Sequence, residues 1–580
     1  MIRMNSQAAP GPATAELLDG LDINADLRPA AEVMDLNRLG SLQPFRHSFM
    51  RILVRQMVRD QWQVRCNQFE LDDRGYGFAV YTIEAKAEIY SFVVFAAFLQ
   101  DENRNDRVIA EQWDLTMALL RGPVKDNQLQ RLREAVPLQE AARMTKDMLV
   151  LSRANRSKRM FDYVVDSLAS GVQPEINRFK EVGYLCRTTA VYGSGKFGMA
   201  DWGAVQHQCQ SFAGPFAAEM FCCFMLRHFS VEQAQHIARC KAPTTAVNLD
   251  SDIRRYVGIG NATGLGMAPF LIKHPQLIAR WLLVREVAIA RVVKMGEVTP
   301  DRLLELQAMM KKVIQHTRET TVEDAKQAER NSQVIVDLEN LTELLRGNPA
   351  LEDWQWLKKR LPEQYCQDTI EIVYSLLIEL YPDLVDFMEN DLGVEENLQL
   401  RPEIALDELK QTIETDYNWS LAIDFNQPER QHVFWYRSEE KMEPRLGERY
   451  REAGADKELP VQIAMAVKAC YERVCSHLIR YPNSDVIHFL LEHSDQTSIV
   501  KRIQTMSQLV YGDIQANLAD QQMQPIHLLR AKLSFFGVSK FDPKSRLWVR
   551  NTMFQGAPLL NELDSDRHLD EWYFPLAPEG

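Results

Sequence analysis

Apolar residues change their spacing several times along the chain. From Ser48 to Phe69, Met50, Leu53, Val54, Met57, Val58 and Trp62 recur at three- and four-residue intervals. That spacing predicts a helix with one apolar stripe, with Arg51, Arg55 and Arg59 on the other face. The pattern then becomes strand-like. Tyr76, Phe78, Val80 and Thr82 alternate, Ile89 to Leu99 is a β-branched and aromatic run, and a third mixed run spans Arg107 to Leu120. Turn-forming residues at 72–75 and 101–106 separate them, so the reading is a three-stranded antiparallel meander.

After Val124 helical spacing returns and dominates to about Leu400, with Arg187 to Tyr192 as a short strand candidate. Ser230 and Gln233 form a capping-box pattern before VEQAQHIARC. His274-Pro275 opens a strong helix that Gly296 closes, and Thr299-Pro300 opens another running towards Thr317. A third starts at Thr321 and ends at Gly347, and Pro362 and Pro382 bracket a fourth. Long, closely spaced helices favour antiparallel packing in a bundle. Beyond Pro402 the pattern predicts a helix to Tyr417, strands at Trp419–Phe425 and His432–Arg437, helices at Val461–Arg480 and Thr497–Leu518, and a loop at Phe541–Ser545 between two strands. The charged stretch from Arg437 to Asp456 reads as a solvated loop or a lid.

The fold class expected is α+β and predominantly α-helical, with a small antiparallel sheet near the N-terminus and strand pairs near the C-terminus. The expected divisions are a flexible tail at 1–35, a helix plus meander at 36–122, a helical core at 123–400 and an α+β region at 401–580. The tail assignment rests on an Ala-, Pro-, Gly- and Asp-rich start without aromatics.

Charge and cysteine usage narrow the function classes. The formal net charge of −13 over 580 residues argues against a general nucleic-acid partner, which requires a basic face. Nine cysteines, an odd number with no Cys-x-x-Cys pair, fit reduced thiols better than a disulfide framework. No signal-like start and no apolar run long enough to span a bilayer are present, so a soluble cytoplasmic protein without a membrane partner is expected. A homo-oligomer is compatible with the sequence, and no cofactor is assigned.

Only 26 residues are glycine, yet two clusters lie about sixty residues apart. The first, Gly193-Ser194-Gly195-Lys196-Phe197-Gly198, matches Gly-x-Gly-x-x-Gly. Such glycines let backbone N–H groups approach an anion, and Lys196 adds a full charge. The dinucleotide fingerprint also needs an acidic residue on a second strand, and Glu219 instead falls in an apolar helical run. Phe197 stands where a Walker loop needs Ser or Thr. The second cluster runs from Gly258 to Gly266 and is too glycine-dense for a helix interior. There Asn261, Thr263, Gly264 and Gly266 are candidate ligand contacts, and His274 beyond them is a candidate acid or base. The alternative for both clusters is close helix packing. Arg187, Arg254 and Arg255 flank them, and with Lys196 they suit a carboxylate, phosphate or nucleotide; each alone is also an ordinary surface ion-pair residue.

Metal signals are sparse. Asp485, His488 and Glu492 share one helical face, His236 and Cys240 sit one turn apart, and His207 and Cys209 are close in sequence. A di-iron bundle needs two Glu-x-x-His helices, and the single such spacing, Glu429 to His432, leads into a strand candidate. Cys222-Cys223 lies in an apolar run where thiols are usually inert.

The leading functional expectation is a cytosolic enzyme acting on a small anionic metabolite (carboxylate, phosphate or CoA-type ester). The glycine-rich loops would bind the anion, with Arg187 and Lys196 neutralising charge. Lys196 and His274 are the catalytic candidates. The alternatives are a non-catalytic helical scaffold or ligand sensor, and a metal-dependent helical enzyme.

Overall fold

A computed structural model describes residues 17–98, 113–134, 145, 147–188, 190–191, 208–264, 274–347, 351, 353–393, 397–425, 435–437, 444–446, 459–460, 463–513, 527–545, 548–565, 567–569 and 571–579. The principal helices are, in chain order, α1 (Phe49–Arg59), α2 (Phe161–Ala169), α3 (Ala217–Lys241), α4 (Ser251–Tyr256), α5 (Pro275–Met295), α6 (Pro300–Glu319) and α7 (Ala325–Arg346). They continue with α8 (Trp354–Gln364), α9 (Gln367–Leu380), α10 (Leu406–Asp416), α11 (Ile463–Arg480), α12 (Val486–Glu492) and α13 (Thr497–Met506). Strands β1 (Gln63–Leu71), β2 (Gly77–Ala85), β3 (Glu88–Ala96), β4 (Leu115–Arg121), β5 (Met148–Arg156), β6 (Tyr184–Thr188) and β7 (Gly258–Gly264) precede the short β8 (Trp435–Arg437), β9 (Pro444–Leu446) and β10 (Leu459–Pro460). The last two are β11 (Asp542–Ser545) and β12 (Trp548–Met553).

The α+β class with a helical majority holds, but the expectation of a small N-terminal sheet with separate C-terminal strand pairs is corrected. One nine-stranded mixed sheet runs in the order β1-β2-β3-β4-β5-β6-β7-β12-β11. The N-terminal meander and the C-terminal hairpin are thus parts of the same sheet. β1 to β6 pair antiparallel with their neighbours, whereas β6 and β7 pair parallel. The helix expected over 48–69 stops at Arg59. Gln61 turns with a positive φ of 51°, and Gln63 onwards is β1. The region read as mainly helical from 124 to 400 also contains β5, β6 and β7. Their apolar runs are short, and short runs do not distinguish a strand from a buried helix.

Two compact units share the chain, each assembled from separate stretches. One comprises 43–263, 299–350 and 533–580 and contains the large sheet. α3 is its central helix and is buried on almost every side. Ser230 does not start a helix there; its hydroxyl donates back to Arg227 O at 2.9 Å within an unbroken α3.

The other unit comprises 1–42, 264–298 and 351–532 and is mainly helical. The stretch from Leu17, assigned to the tail on composition, is packed. Leu17 and Val33 are fully buried, and Arg28 and Arg38 enter the core. Arg28 forks onto Glu286 of α5 at 2.7 and 2.8 Å and reaches Glu371 of α9 at 2.9 Å. Arg38 bonds Glu371 at 3.0 Å and also contacts Glu286. Arg285 reaches the second Glu371 oxygen at 2.7 Å. Further on, Trp419 lies in a helical turn, Asn418–Leu421, rather than a strand, and α13 ends at Met506.

Candidate functional site

Local sequence explains how β6 and β7 come together. Each is five to seven residues long and is held by its neighbours rather than by intrinsic strand propensity. Glycine makes the approach possible. A Cβ on Gly258 would fall 2.4 Å from Thr552 Cγ2 and 2.5 Å from Met553 O, and one on Gly260 2.7 Å from both Arg187 Cγ and the Tyr184 ring. Gly260 therefore lets the stem of half-buried Arg187 lie across β7.

Tyr184 pairs with Gly258 and Arg187 with Gly260 in parallel register. The carboxyl ends of both strands consequently lie at the same end of the sheet. From β6 the chain passes Ala190 and Val191 towards Gly193–Gly198, and from β7 it leaves at Gly264 towards Gly266. Asn261 donates from Nδ2 to Val191 O at 3.4 Å, joining the exit of β6 to β7. The second strand that sequence reading did not find is thus present, as a β6–α3–β7 crossover. Within the described residues α3 of this crossover begins at Ala217, with Phe216 left-handed at its start and no side-chain cap.

Arg187, Asn261 and the backbone of Thr263 and Gly264 therefore lie on adjacent strands. The expected loop at 258–264 is a strand. Gly193, Ser194, Gly195, Lys196, Gly198 and Gly266 fall outside the described residues, as does the side chain of Thr263. His274 precedes α5 as its N-cap, without a side-chain cap bond, and belongs to the helical unit.

The flanking arginines divide. Arg255 is committed to Glu562 at 2.6 Å and to Asp252 at 2.5 Å. Arg254 instead lines a small pocket with Arg227, His228, Phe224, Val231, Leu559 and Leu560, with about 270 Å³ of empty space including its open mouth. Arg227 is buried and donates to five backbone carbonyls, those of Arg254, Arg255, Val257, Ala557 and Pro558. Burial pulls its guanidinium down to about 9, still charged at neutral pH. Burial, with Arg254 and Arg227 nearby, drives the His228 imidazole down to about 4, so it is neutral there. Sequence reading missed Arg227 and His228, which lie inside an apolar helix and carry no motif.

Cys222 and Cys223 are fully buried, and desolvation pushes both thiols well above their ordinary value, which suits inert core residues. His236 Nε2 lies 3.7 Å from Cys240 Sγ and 2.8 Å from Asp72 O. Lys532, which carries no motif either, is buried, and desolvation pulls its ammonium down to about 7. Among the described residues no helix is long and apolar enough to cross a membrane. No protein-family model, curated protein or solved structure matches the chain.

Proposed function

We propose that the protein binds a small anionic metabolite, a carboxylate, phosphate or CoA-type ester, beside the carboxyl ends of β6 and β7, and acts on it as an enzyme. The observation that carries this reading is the parallel pairing of β6 with β7, which sends the chain towards both glycine-rich segments from one end of the sheet. Open sheets with crossover connections seat ligands outside the carboxyl ends of parallel strands. In this reading Arg187 and Lys196 supply charge, the glycine backbone supplies N–H donors, and Asn261 holds the two exits together. Lys196 is the group assigned to chemistry there, and His274, on the helical unit, is a separate acid or base candidate.

The test is ligand-induced thermal stabilisation with inorganic phosphate, a dicarboxylate and a CoA thioester. Stabilisation by one of these classes, lost in Lys196→Ala and Arg187→Ala, supports the reading. Retention of the effect in both Lys196→Ala and Gly195→Val sinks it. Loss in Arg254→Ala alone moves the anion to the α3 pocket.

A further inference from the structure

α11 and α12 meet at a corner fixed by the backbone. Leu406 N donates to Ser484 O at 2.8 Å and Val486 N to Ile404 O at 3.0 Å. This corner encloses the ring of His477, which is 1 % exposed. His477 Nε2 lies 3.0 Å from Ser484 Oγ, and the Ser484 hydroxyl donates to Asp485 O at 3.3 Å. With the serine proton used there, its oxygen accepts from Nε2–H, and in that tautomer Nδ1 presents a lone pair. It is buried without a hydrogen-bond partner and faces Glu492 Oε2 at 3.3 Å. A lone pair and a carboxylate oxygen at that separation repel unless positive charge lies between them.

The next residue, His493, brings a second imidazole, its ring 6.1 Å from that of His477. One donor atom from each of His477, Glu492 and His493 lies within 4.8 Å of the others. We propose that these three side chains bind a divalent transition metal of the zinc class. Two imidazole nitrogens and one carboxylate oxygen form a borderline donor set that suits Zn²⁺ and not Mg²⁺ or Ca²⁺. Ser484 does for His477 what outer hydrogen bonds do at metal sites: it fixes tautomer and ring orientation. Glu492 is exposed and His493 half-buried, so both can turn towards the metal while the buried His477 stays fixed. Three protein ligands leave a fourth position for water.

Arg480 is the competing cation. Its Nη2 sits 3.0 Å from the same Glu492 oxygen, and its side chain is 53 % exposed. It releases or shares the carboxylate when metal enters. Of the face expected from helical spacing, only Glu492 belongs to this group. Asp485 is the N-cap position of α12, and His488 points 3.9 Å from it as an exposed pair.

The experiment titrates tag-free, chelator-treated protein with Co²⁺, followed by visible absorption, and then displaces it with Zn²⁺. One equivalent with four-coordinate bands is expected. Glu492→Gln and His493→Gln, both towards solvent, should weaken binding about tenfold or more with an unchanged far-UV circular dichroism spectrum. Arg480→Ala should tighten it. Absence of one-equivalent binding overturns the proposal. So does binding unchanged in both variants, which would move the metal to other donors such as His236 and Cys240. A ¹⁵N spectrum showing His477 doubly protonated at pH 7 and indifferent to Zn²⁺ would replace the metal with an imidazolium–carboxylate pair.

Discussion

Glu371→Gln tests what holds the helical unit together. Glu371 is fully buried and receives Arg28 at 2.9 Å, Arg38 at 3.0 Å and Arg285 at 2.7 Å. The three guanidiniums hold its carboxyl well below the usual carboxylate range. The substitution keeps shape and removes one negative charge, leaving three buried cations around Glu286, with Glu32 3.4 Å from Arg28 at the rim. Taking one partner from a buried ionic group typically costs about 3–5 kcal/mol, because the remaining charges lose compensation they cannot regain from water. The lower end applies if Arg28 swings towards Glu32. The assay is urea unfolding combined with hydrogen exchange of peptides spanning 23–42, since Arg28 and Arg38 anchor that segment. Exchange there should rise along with the loss of stability. Glu371→Gln/Arg285→Met, which removes one charge of each sign, should recover part of the loss. A change below about 1 kcal/mol in Glu371→Gln would show that the cluster is no more than a surface-like set of pairs.

Gly260→Ala should destabilise by about 1–3 kcal/mol, because its Cβ meets Tyr184 and Arg187 at 2.7 Å. Gly347→Ala, with only 3.6 Å contacts and a φ of −74°, should be neutral or slightly stabilising in the same thermal melts. His228 and His316 are both held down to about 4 by burial. The unfolded chain then binds more protons between pH 6.5 and 4, so stability falls as pH drops through that window, by up to about 3 kcal/mol per histidine. For His228 the facing groups are Glu232, Tyr81, Arg227 and Arg254. Unfolding of His316→Phe followed against pH should show a shallower slope than wild type. Glu286 and Glu371 act in a separate, more acid window, because their lowered values keep their contribution intact above about pH 4.3.

Helices that announce themselves locally were legible. α5 and α6 carry Pro at their first positions, and Thr299 accepts from Arg302 N as a side-chain cap. Elements whose identity depends on distant neighbours were not. β7 is rich in glycine and becomes a strand because β6 and β12 lie beside it. β5 holds a short apolar run that a helix could equally have used. Arg28 and Arg38 sit in a Pro- and Asp-rich stretch and are buried only because Glu286 and Glu371, hundreds of residues later, receive them. The same limit applied to candidate sites. Helical spacing singled out Glu492, but His477 joins it across the corner between α11 and α12, which no periodicity within one helix records.

Cation commitment sharpens where an anion can sit. The chain has excess negative charge, so an anionic ligand needs a local positive group whose donors are not already spent. Arg227 gives its donors to five carbonyls, and Arg255 is held by Glu562 and Asp252. Arg28, Arg38 and Arg285 are occupied by two buried glutamates. None of these can take a ligand without breaking a packed arrangement. Arg254 differs, since its Nε is buried without a hydrogen-bond partner. Yet its pocket adjoins Arg227, whose charge offsets the desolvation of an anion but offers it no donor. Arg187 lies on β6, the strand that precedes Lys196 and the first glycine cluster in the chain. In the proposed reading an anion at the glycine clusters would meet several backbone donors, whereas one in the α3 pocket would meet the single unpartnered Nε of Arg254 beside the Arg227 charge. Dependence of binding on ionic strength separates them, because a site built on backbone donors loses less affinity in salt than one built mainly on charge.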